Sequence, residues 1–414
     1  MTRPDDPKPE EPAALRYGFG ANWQRYLARC FSPERLEIAR DHMLRFLRRR
    51  DLAGLSMIDI GCGSGLHSAA ARMAGAGPLL SFDYDPDSVA ATGRVRDAVT
   101  DGGADADGWD IRRGSILDTG FCAGLGRFDI VYAWGVLHHT GDQWTALRNA
   151  ASLVADGGLL YVALYAEEAH LDPPPAYWLE IKRRYNRAGP LRRAAMEAGY
   201  VWTHMLGRRP ANLLKLPGMA RGYRRSRGMD LHTDVRDWLG GWPMEFSSIP
   251  AVVRFAAEEL GLALVGLASG EANAEYLFTP TAAPAPGYPP LPFRDPYPVM
   301  VRLEDPAALR GGPPVHIFGT AAGAAVLLRA FDEASIAVAG FVDPAEGPAE
   351  GAGEAMLHGR PVLPFGRFAA QAAPDAPVVL SNRFVFENGR RLVEAGFTRV
   401  FDAHALVRRL AAAR

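Results

Sequence analysis

The sequence predicts an α/β protein: a doubly wound, mostly parallel sheet interrupted by a helical region, followed by a second, smaller βαβ unit. Three observations support this. Ser56-Met-Ile-Asp-Ile-Gly-Cys-Gly-Ser-Gly-Leu66 reads as a buried strand, a glycine turn and the start of a helix, and a second strand at Pro78–Phe82 ends in Asp83. Phe128–Ala133 is the mostly apolar kind of run that a parallel sheet covered on both faces requires. From Val315 a strand, a glycine turn, a helix and a strand ending in Asp343 repeat the first pattern.

Composition sets outer limits. The chain has 414 residues, 48% of them hydrophobic, with a formal net charge of -1. Two or three domains are expected, with no global pull toward DNA or anionic lipid. Nearly all basic residues are Arg, and Cys30, Cys62 and Cys122 are too few and scattered for a disulfide framework or a zinc cluster. No metal is expected. Residues 1–13, rich in Pro and charge, read as disordered and lack a signal-peptide core. No apolar run approaches the roughly 20 residues of a membrane span, and a reducing cytoplasm fits these features.

Taken in order, Phe19–Tyr26 opens a helical segment. A helix follows over Pro33–Arg50, with Ser32 as its cap and Pro33 in its first turn. Ile58 and Ile60 suit a buried strand, and Gly61, Gly63 and Gly65 let the backbone turn sharply against a ligand. A helix over Pro86–Val99, a surface loop at 102–108 and a third strand near Trp109–Arg112 follow. Trp144–Val154 is a helix closed by Asp156-Gly-Gly158, and Leu159–Leu164 is the fifth strand.

Two ligands compete for the glycine turn. A dinucleotide turn has a glycine at the sixth position, where this chain has Leu66. Asp59-Ile-Gly-Cys-Gly-Ser-Gly65 instead resembles motif I of the class I S-adenosylmethionine (SAM) methyltransferases. Phe128–Thr140, with Val136-Leu-His-His139, resembles motif IV of the same superfamily. The resemblance implies a seven-stranded methyltransferase fold and SAM as cofactor. Asp59 would face the methionine end, with Gly61, Cys62, Gly63 and Gly65 along the turn, Asp83 at the ribose and Tyr84 beside it among the cofactor-binding candidates. Ser115 and Ile116 would touch the adenine, Asp118 being a weaker candidate. It also implies that helices ahead of motif I lie over the cofactor, so Asn22, Trp23 and Tyr26 line the site or simply pack on the core.

Transfer from a sulfonium needs no metal and no covalent enzyme intermediate, so rate comes from alignment and exclusion of water. Trp134, just past the fourth strand, is a cation–π candidate for the sulfur. An oxygen or carbon acceptor must lose a proton, which makes His138 or His139 the candidate general base, against a structural role in holding the loop.

Residues 166–245 read as an insertion. Pro173-Pro-Pro175 breaks the chain, and from Tyr177 a helical stretch carries Lys182, Arg183, Arg184 and Arg187, with more Arg beyond and aromatics between. This is a solvated helical face, a cap binding an anionic group of the acceptor, or an RNA or membrane-surface patch. Asp234–Phe246, with Tyr185-Asn-Arg187, resembles a bacterial methyltransferase subgroup with a long insertion after the fifth strand. Tyr165, Tyr185, Asp237 and Trp238 are the substrate-binding candidates, with Trp242 and Glu245 beside them, unless Gly240–Gly241 only builds a turn.

Ile249–Leu260 is a helix, and Leu262–Leu267 and Glu275–Phe278 read as an antiparallel pair completing the sheet. The methyltransferase domain then covers 14–278, Pro-rich residues 279–312 form a linker, and 313–414 form a Rossmann-like domain. Its turn, Gly319-Thr-Ala-Ala-Gly323, lacks the middle glycine, which counts against a bound cofactor; the domain binds a ligand, supports a homodimer or docks the acceptor. The expected function is O- or C-methylation of a small molecule such as a sugar, nucleotide-sugar, glycan precursor or secondary metabolite. An Asn/Asp-Pro-Pro-Tyr/Phe tetrapeptide, suited to nucleobase amines, is missing after the fourth strand. The alternatives are a tRNA methyltransferase or a non-catalytic SAM-binding module.

Overall fold

The computed structural model describes residues 17–18, 20, 32–100, 108–170, 173–207, 209–210, 212, 218, 231–269, 272–344, 355–382 and 384–412. Asn22, Trp23, Tyr26 and the N-terminal segment lie outside the described residues. The chain divides into two compact units, one of residues 1–167 and 173–291, the other of 168–172 and 292–414.

The first unit runs α1 (Pro33–Phe46), β1 (Met57–Ile60), α2 (Leu66–Met73), β2 (Leu79–Asp83), α3 (Pro86–Val99), β3 (Trp109–Arg113), α4 (Thr119–Ala123), β4 (Phe128–Trp134), α5 (Gln143–Ser152) and β5 (Val154–Tyr165). The inserted helices α6 (Pro175–Arg187), α7 (Pro190–Tyr200) and α8 (Leu231–Gly240) follow, then α9 (Ile249–Glu258), β6 (Leu262–Ser269) and β7 (Asn273–Pro280). The seven strands lie in the order β3-β2-β1-β4-β5-β7-β6. β1 pairs in parallel with β2 and β4, whereas β7 is antiparallel to both β5 and β6. Strand order reverses between β1 and β4, which opens a crevice at their carboxyl ends.

Local chemistry accounts for the helix starts. Asp85, Asp118 and Asp142 accept backbone N–H bonds at the N-termini of α3, α4 and α5. Ser32 makes no such side-chain bond, so Pro33 with its fixed φ starts α1 without the expected cap. β1 is buried along its whole length, and Met57, Leu79, Trp109, Tyr132, Leu159 and Leu277 share one core with Leu47 and Met43. Each fully buried aliphatic or aromatic side chain there contributes about 1.5–3 kcal/mol of hydrophobic free energy.

Two expectations need correction. The fifth strand begins at Val154, which pairs with Phe128, so Asp156-Gly-Gly158 lies within the strand, where its register on β4 shifts, and not at a helix end. The Pro-rich stretch 279–312 is folded into both units. Thr279 Oγ1 donates to the Gly158 carbonyl and accepts from Ala285 N–H, while the Tyr288 hydroxyl donates to the Leu47 carbonyl. Further on, β8 (Met300–Arg302) pairs in parallel with a strand of the second unit. Proline density marks extended backbone, and extended backbone here lies on surfaces and at a sheet edge.

In the second unit β8 precedes β9 (Val315–Phe318), α10 (Ala322–Glu333), β10 (Val338–Asp343), β11 (Ala355–Leu357), β12 (Arg360–Pro364) and α11 (Phe365–Gln371). Then come β13 (Val378–Leu380), α12 (Val385–Glu394), β14 (Val400–Asp402) and α13 (His404–Ala412). The order is β11-β12-β10-β9-β13-β14-β8, parallel except for the β11–β12 hairpin. This is a second, Rossmann-like sheet. Its turn glycines answer to packing: a Cβ at Gly319 would lie 2.5 Å from Ser381 Oγ, and one at Gly323 2.4 Å from the Ser381 carbonyl.

Candidate cofactor and acceptor site

Gly61, Gly63 and Gly65 all hold positive φ, at 70, 56 and 80°. A Cβ at Gly61 would lie 2.3 Å from Val136 Cγ1, and one at Gly65 2.8 Å from the Thr92 α-carbon on α3. Gly65 therefore does the helix-packing work that a sixth-position glycine does in a dinucleotide turn, and Leu66 simply begins α2. The Gly61 and Cys62 N–H groups both donate to the Phe82 carbonyl, pinning the turn to β2. The Cys62 side chain is buried, takes a bond from Thr92 Oγ1 at 3.2 Å, and has its thiol pushed well up by burial. It serves as a small apolar filler.

Two carboxylates flank this turn from neighbouring strands. Asp59 is 3% exposed and accepts the Ser68 hydroxyl at Oδ2. Behind Ser68, Ser81 Oγ donates to Ser68 Oγ at 2.8 Å, and Trp109 Nε1 donates to Ser81 Oγ at 2.9 Å. The result is a one-directional chain of donors from β3 to the β1 carboxylate. Burial pushes Asp59 up to about 7, Ser68 draws it down, and Asp83 pushes it up. Asp83 accepts Gly63 N–H at 3.0 Å on Oδ2 and Asp85 N–H at 2.9 Å on Oδ1. Burial raises it to about 6 against those donors.

These residues fit SAM. A cationic ligand end beside Asp59 would restore its charge, and Asp83 has carboxylate oxygens for vicinal hydroxyls. The buried Tyr132 hydroxyl, on the same face as Asp59, has no hydrogen-bond partner among the described residues. Trp134 ends β4 on that face, with the His67 ring 5.6 Å away, and His67 lies 5.4 Å from Tyr132. Burial lowers His67 to about 4, so this aromatic wall is uncharged at neutral pH and does not repel a sulfonium. On the same sheet face Glu275 accepts the Tyr161 hydroxyl and lies 3.1 Å from His42 Nε2.

At the other end of the crevice, Ser115 Oγ accepts Leu117 N–H at 3.2 Å, and the Ile116 carbonyl accepts Asn149 Nδ2 at 2.7 Å. Asp118 is occupied as the cap of α4. The Tyr84 ring is exposed, and its carbonyl is approached by Arg113.

The expected acceptor residues part company. His138 is fully buried: its Nδ1 accepts Tyr165 N–H at 3.3 Å and its carbonyl accepts Glu245 N–H at 2.9 Å. Glu245 Oε2 in turn accepts Gln143 N–H at 2.8 Å. His138 thus ties three segments together. His139 Nδ1 lies 2.8 Å from the Pro243 carbonyl, which requires the ring proton on Nδ1. Burial drives His139 down to about 3, with Pro243 opposing and Lys182 adding to the fall. The Tyr165 ring lies 5.8 Å from His139, 5.6 Å from Trp238 and 6.0 Å from Phe246. Asp237 adjoins Trp238 on α8, and its carbonyl accepts Gly241 N–H.

Tyr185 does not join this group. It is buried, its hydroxyl donates to Glu197 at 2.6 Å, and Arg236 meets the same carboxylate at 3.1 Å. Trp242 is likewise buried, beneath the Arg183 guanidinium. Nor is the basic run a uniform solvated face. Arg184 pairs with Glu180 in solvent, but Lys182 is 1% exposed. Ser68, Ser81, Trp109 and His67 are the residues that motif reasoning missed. Only their fold neighbours reveal them, since none stands in a motif.

The strand order, the reversed seventh strand and the glycine turn between Asp59 and Asp83 are consistent with the seven-stranded class I SAM-dependent methyltransferase fold. Residues 24–205 match the family model described as a methyltransferase domain. A ubiquinone biosynthesis O-methyltransferase of Caulobacter sp. (strain K31) is 34% identical over 140 residues, which are 32% of this chain and 52% of that protein. The namesake from Methylobacterium sp. (strain 4-46) is 33% identical over 139 residues, again 32% and 52%. The chain thus spans about half the length of the curated relatives it matches. Among solved structures, the magnesium protoporphyrin IX methyltransferase of Synechocystis PCC 6803 with bound SAH is 14% identical at a TM-score of 0.38, covering 62% of this chain and 92% of that one. No helix among the described residues is long and apolar enough to cross a membrane.

Proposed function

We propose that this chain transfers the methyl group of SAM to an oxygen of a small molecule. The observation that supports it most directly is the pair of carboxylates with raised pKa, Asp59 and Asp83, set on adjoining strands around a turn too tight for side chains. The names of the matching relatives agree with an oxygen acceptor. When bound, SAM supplies a methyl group already activated on a sulfonium sulfur. Asp59 would receive its ammonium end and Asp83 its ribose hydroxyls. Trp134 and neutral His67 would offer aromatic faces, a contact worth about 0.5–2 kcal/mol for a cation. Ser115 and Ile116 would meet the adenine. Tyr165, Trp238 and His139 would form the acceptor's wall, closing out water.

For the acceptor we favour a small metabolite, such as a sugar, nucleotide-sugar, glycan precursor or secondary metabolite, with an anionic group that the Arg-rich insertion would meet. A cytoplasmic homodimer is part of the same reading. The test incubates the full chain with methyl-labelled SAM and fractionated host extract. Label in the small-molecule fraction supports the proposal, whereas label in tRNA or in no fraction overturns it.

A further inference from the structure

One cationic side chain is buried beside the acceptor wall without a part in the scheme above. Lys182 lies on α6, and its amine donates to the Trp238 carbonyl and sits 4.4 Å from the centre of the Trp238 ring. Around it, Trp178 packs 5.0 Å from Trp238, and both belong to the aromatic cluster that includes Tyr165 and Phe246. Isolated charges are not kept in such surroundings without a reason.

The residue type supplies one. The chain has 46 Lys and Arg together but only three lysines, Lys8, Lys182 and Lys215. Where arginine is used almost everywhere, lysine offers something arginine does not: it gives up its proton within reach of neutral pH. We propose that Lys182 is the proton acceptor of the reaction, taking the proton of the acceptor hydroxyl as the methyl group is transferred. This rests on the methyltransferase reading above. The acceptor hydroxyl replaces the Trp238 carbonyl as partner of the neutral amine. Its oxygen forms the new bond to the methyl carbon, the carbon–sulfur bond breaks with its electron pair going to sulfur, and the O–H proton ends on Nζ.

The electrostatics agree. Burial lowers Lys182 to about 7, with Asp237 on α8 pulling upward. His139, in the turn that follows β4, is itself lowered by Lys182 and at about 3 is too weak a base for neutral conditions. Glu197 on α7 is engaged by Tyr185 and Arg236. A base matched to ambient pH accelerates proton transfer by about 10²–10⁴-fold.

Two measurements on the full chain test this. With 13C-labelled lysine, only three side chains resonate, and Lys182→Met assigns the one that matters. Its titration midpoint is expected near 7; a midpoint in the ordinary range near ~10.4 overturns the assignment. In the second, methyl-labelled SAM is the probe, and label entering the small-molecule fraction is followed from pH 5.5 to 9. Wild type should gain rate with the lysine's own midpoint. Both Lys182→Met and Lys182→Arg should fall at least ~100-fold and lose that limb, while SAM affinity and circular dichroism stay unchanged. Undiminished labelling by either variant sinks Lys182 alone. No labelling by wild type at any pH sinks the methyltransferase reading with it.

Discussion

Ser68, in the first turns of α2, donates its hydroxyl to Asp59 on β1, and so the helix that follows the glycine turn holds the carboxylate that precedes it. Hydrogen bonds to charged groups are worth about 1.5–3 kcal/mol. Ser68→Ala should therefore weaken SAM binding by ~10-fold or more and leave Asp59 even harder to ionise. Calorimetry at pH 7.5 and 6.0 checks both, and equal affinities for variant and wild type at the two pH values would count against it.

The same pair of carboxylates ties binding to protons. Burial pushes Asp59 up to about 7 and Asp83 up to about 6, both above the usual carboxylate range. A cationic ligand favours their ionised forms, so binding should release protons, and affinity should fall as pH drops through 7 toward 6. Calorimetry in buffers of different ionisation enthalpy measures the release. A heat independent of buffer contradicts the placement. Asp83→Ala should lower affinity at least ~10-fold.

Gly65 meets Thr92 too closely for a side chain. Gly65→Ala adds a clash to an unfavourable φ and should destabilise the domain by roughly 1–3 kcal/mol. Gly126 also has positive φ, at 84°, but open space around it. Gly126→Ala isolates the backbone part and should be the milder change in urea unfolding. Equal losses would refute the packing explanation.

The two adjacent histidines should separate in stability assays. His138→Gln disturbs a fully buried residue bonded to Tyr165 and lowers stability by about 1–3 kcal/mol. His139→Gln should act through pH. His139 is lowered to about 3 in the fold, against about 6.5 unfolded, so its contribution is full above pH 6.5 and is lost as pH falls toward 3. His67, lowered to about 4, adds a loss of the same sign. Replacing His139 should flatten the acid limb of a melting-temperature curve, and an unchanged limb would argue against a neutral buried imidazole.

Much of the fold was legible because its signals are local. Glycines before Leu66 must be glycines when φ is positive and a neighbouring helix touches the turn. Apolar strands such as Phe128–Trp134 must be apolar when helices cover both faces. Both facts leave short contiguous marks. The acceptor side was less legible. Tyr185, singled out with its neighbours by resemblance, is spent on Glu197, whereas Lys182, three residues earlier and lost in a charged run, lies inside. Helical charge patterns do not say which face finds a partner when that partner, α8, is about 50 residues away in the chain. The stretch 279–312 misled for a related reason: proline density marks extended backbone but not what that backbone lies against.

From its residues alone the chain determined two α/β units, a glycine turn between paired acids and the class of cofactor that such a turn admits, because each depends on conformations open to few residue types over short spans. Tertiary structure decided which charged and aromatic groups face one another. Ser68 reached Asp59, His138 became a tie, and Lys182 went indoors because burial and pKa depend on neighbours from distant segments, and these exist only once the sheet and its helices have packed.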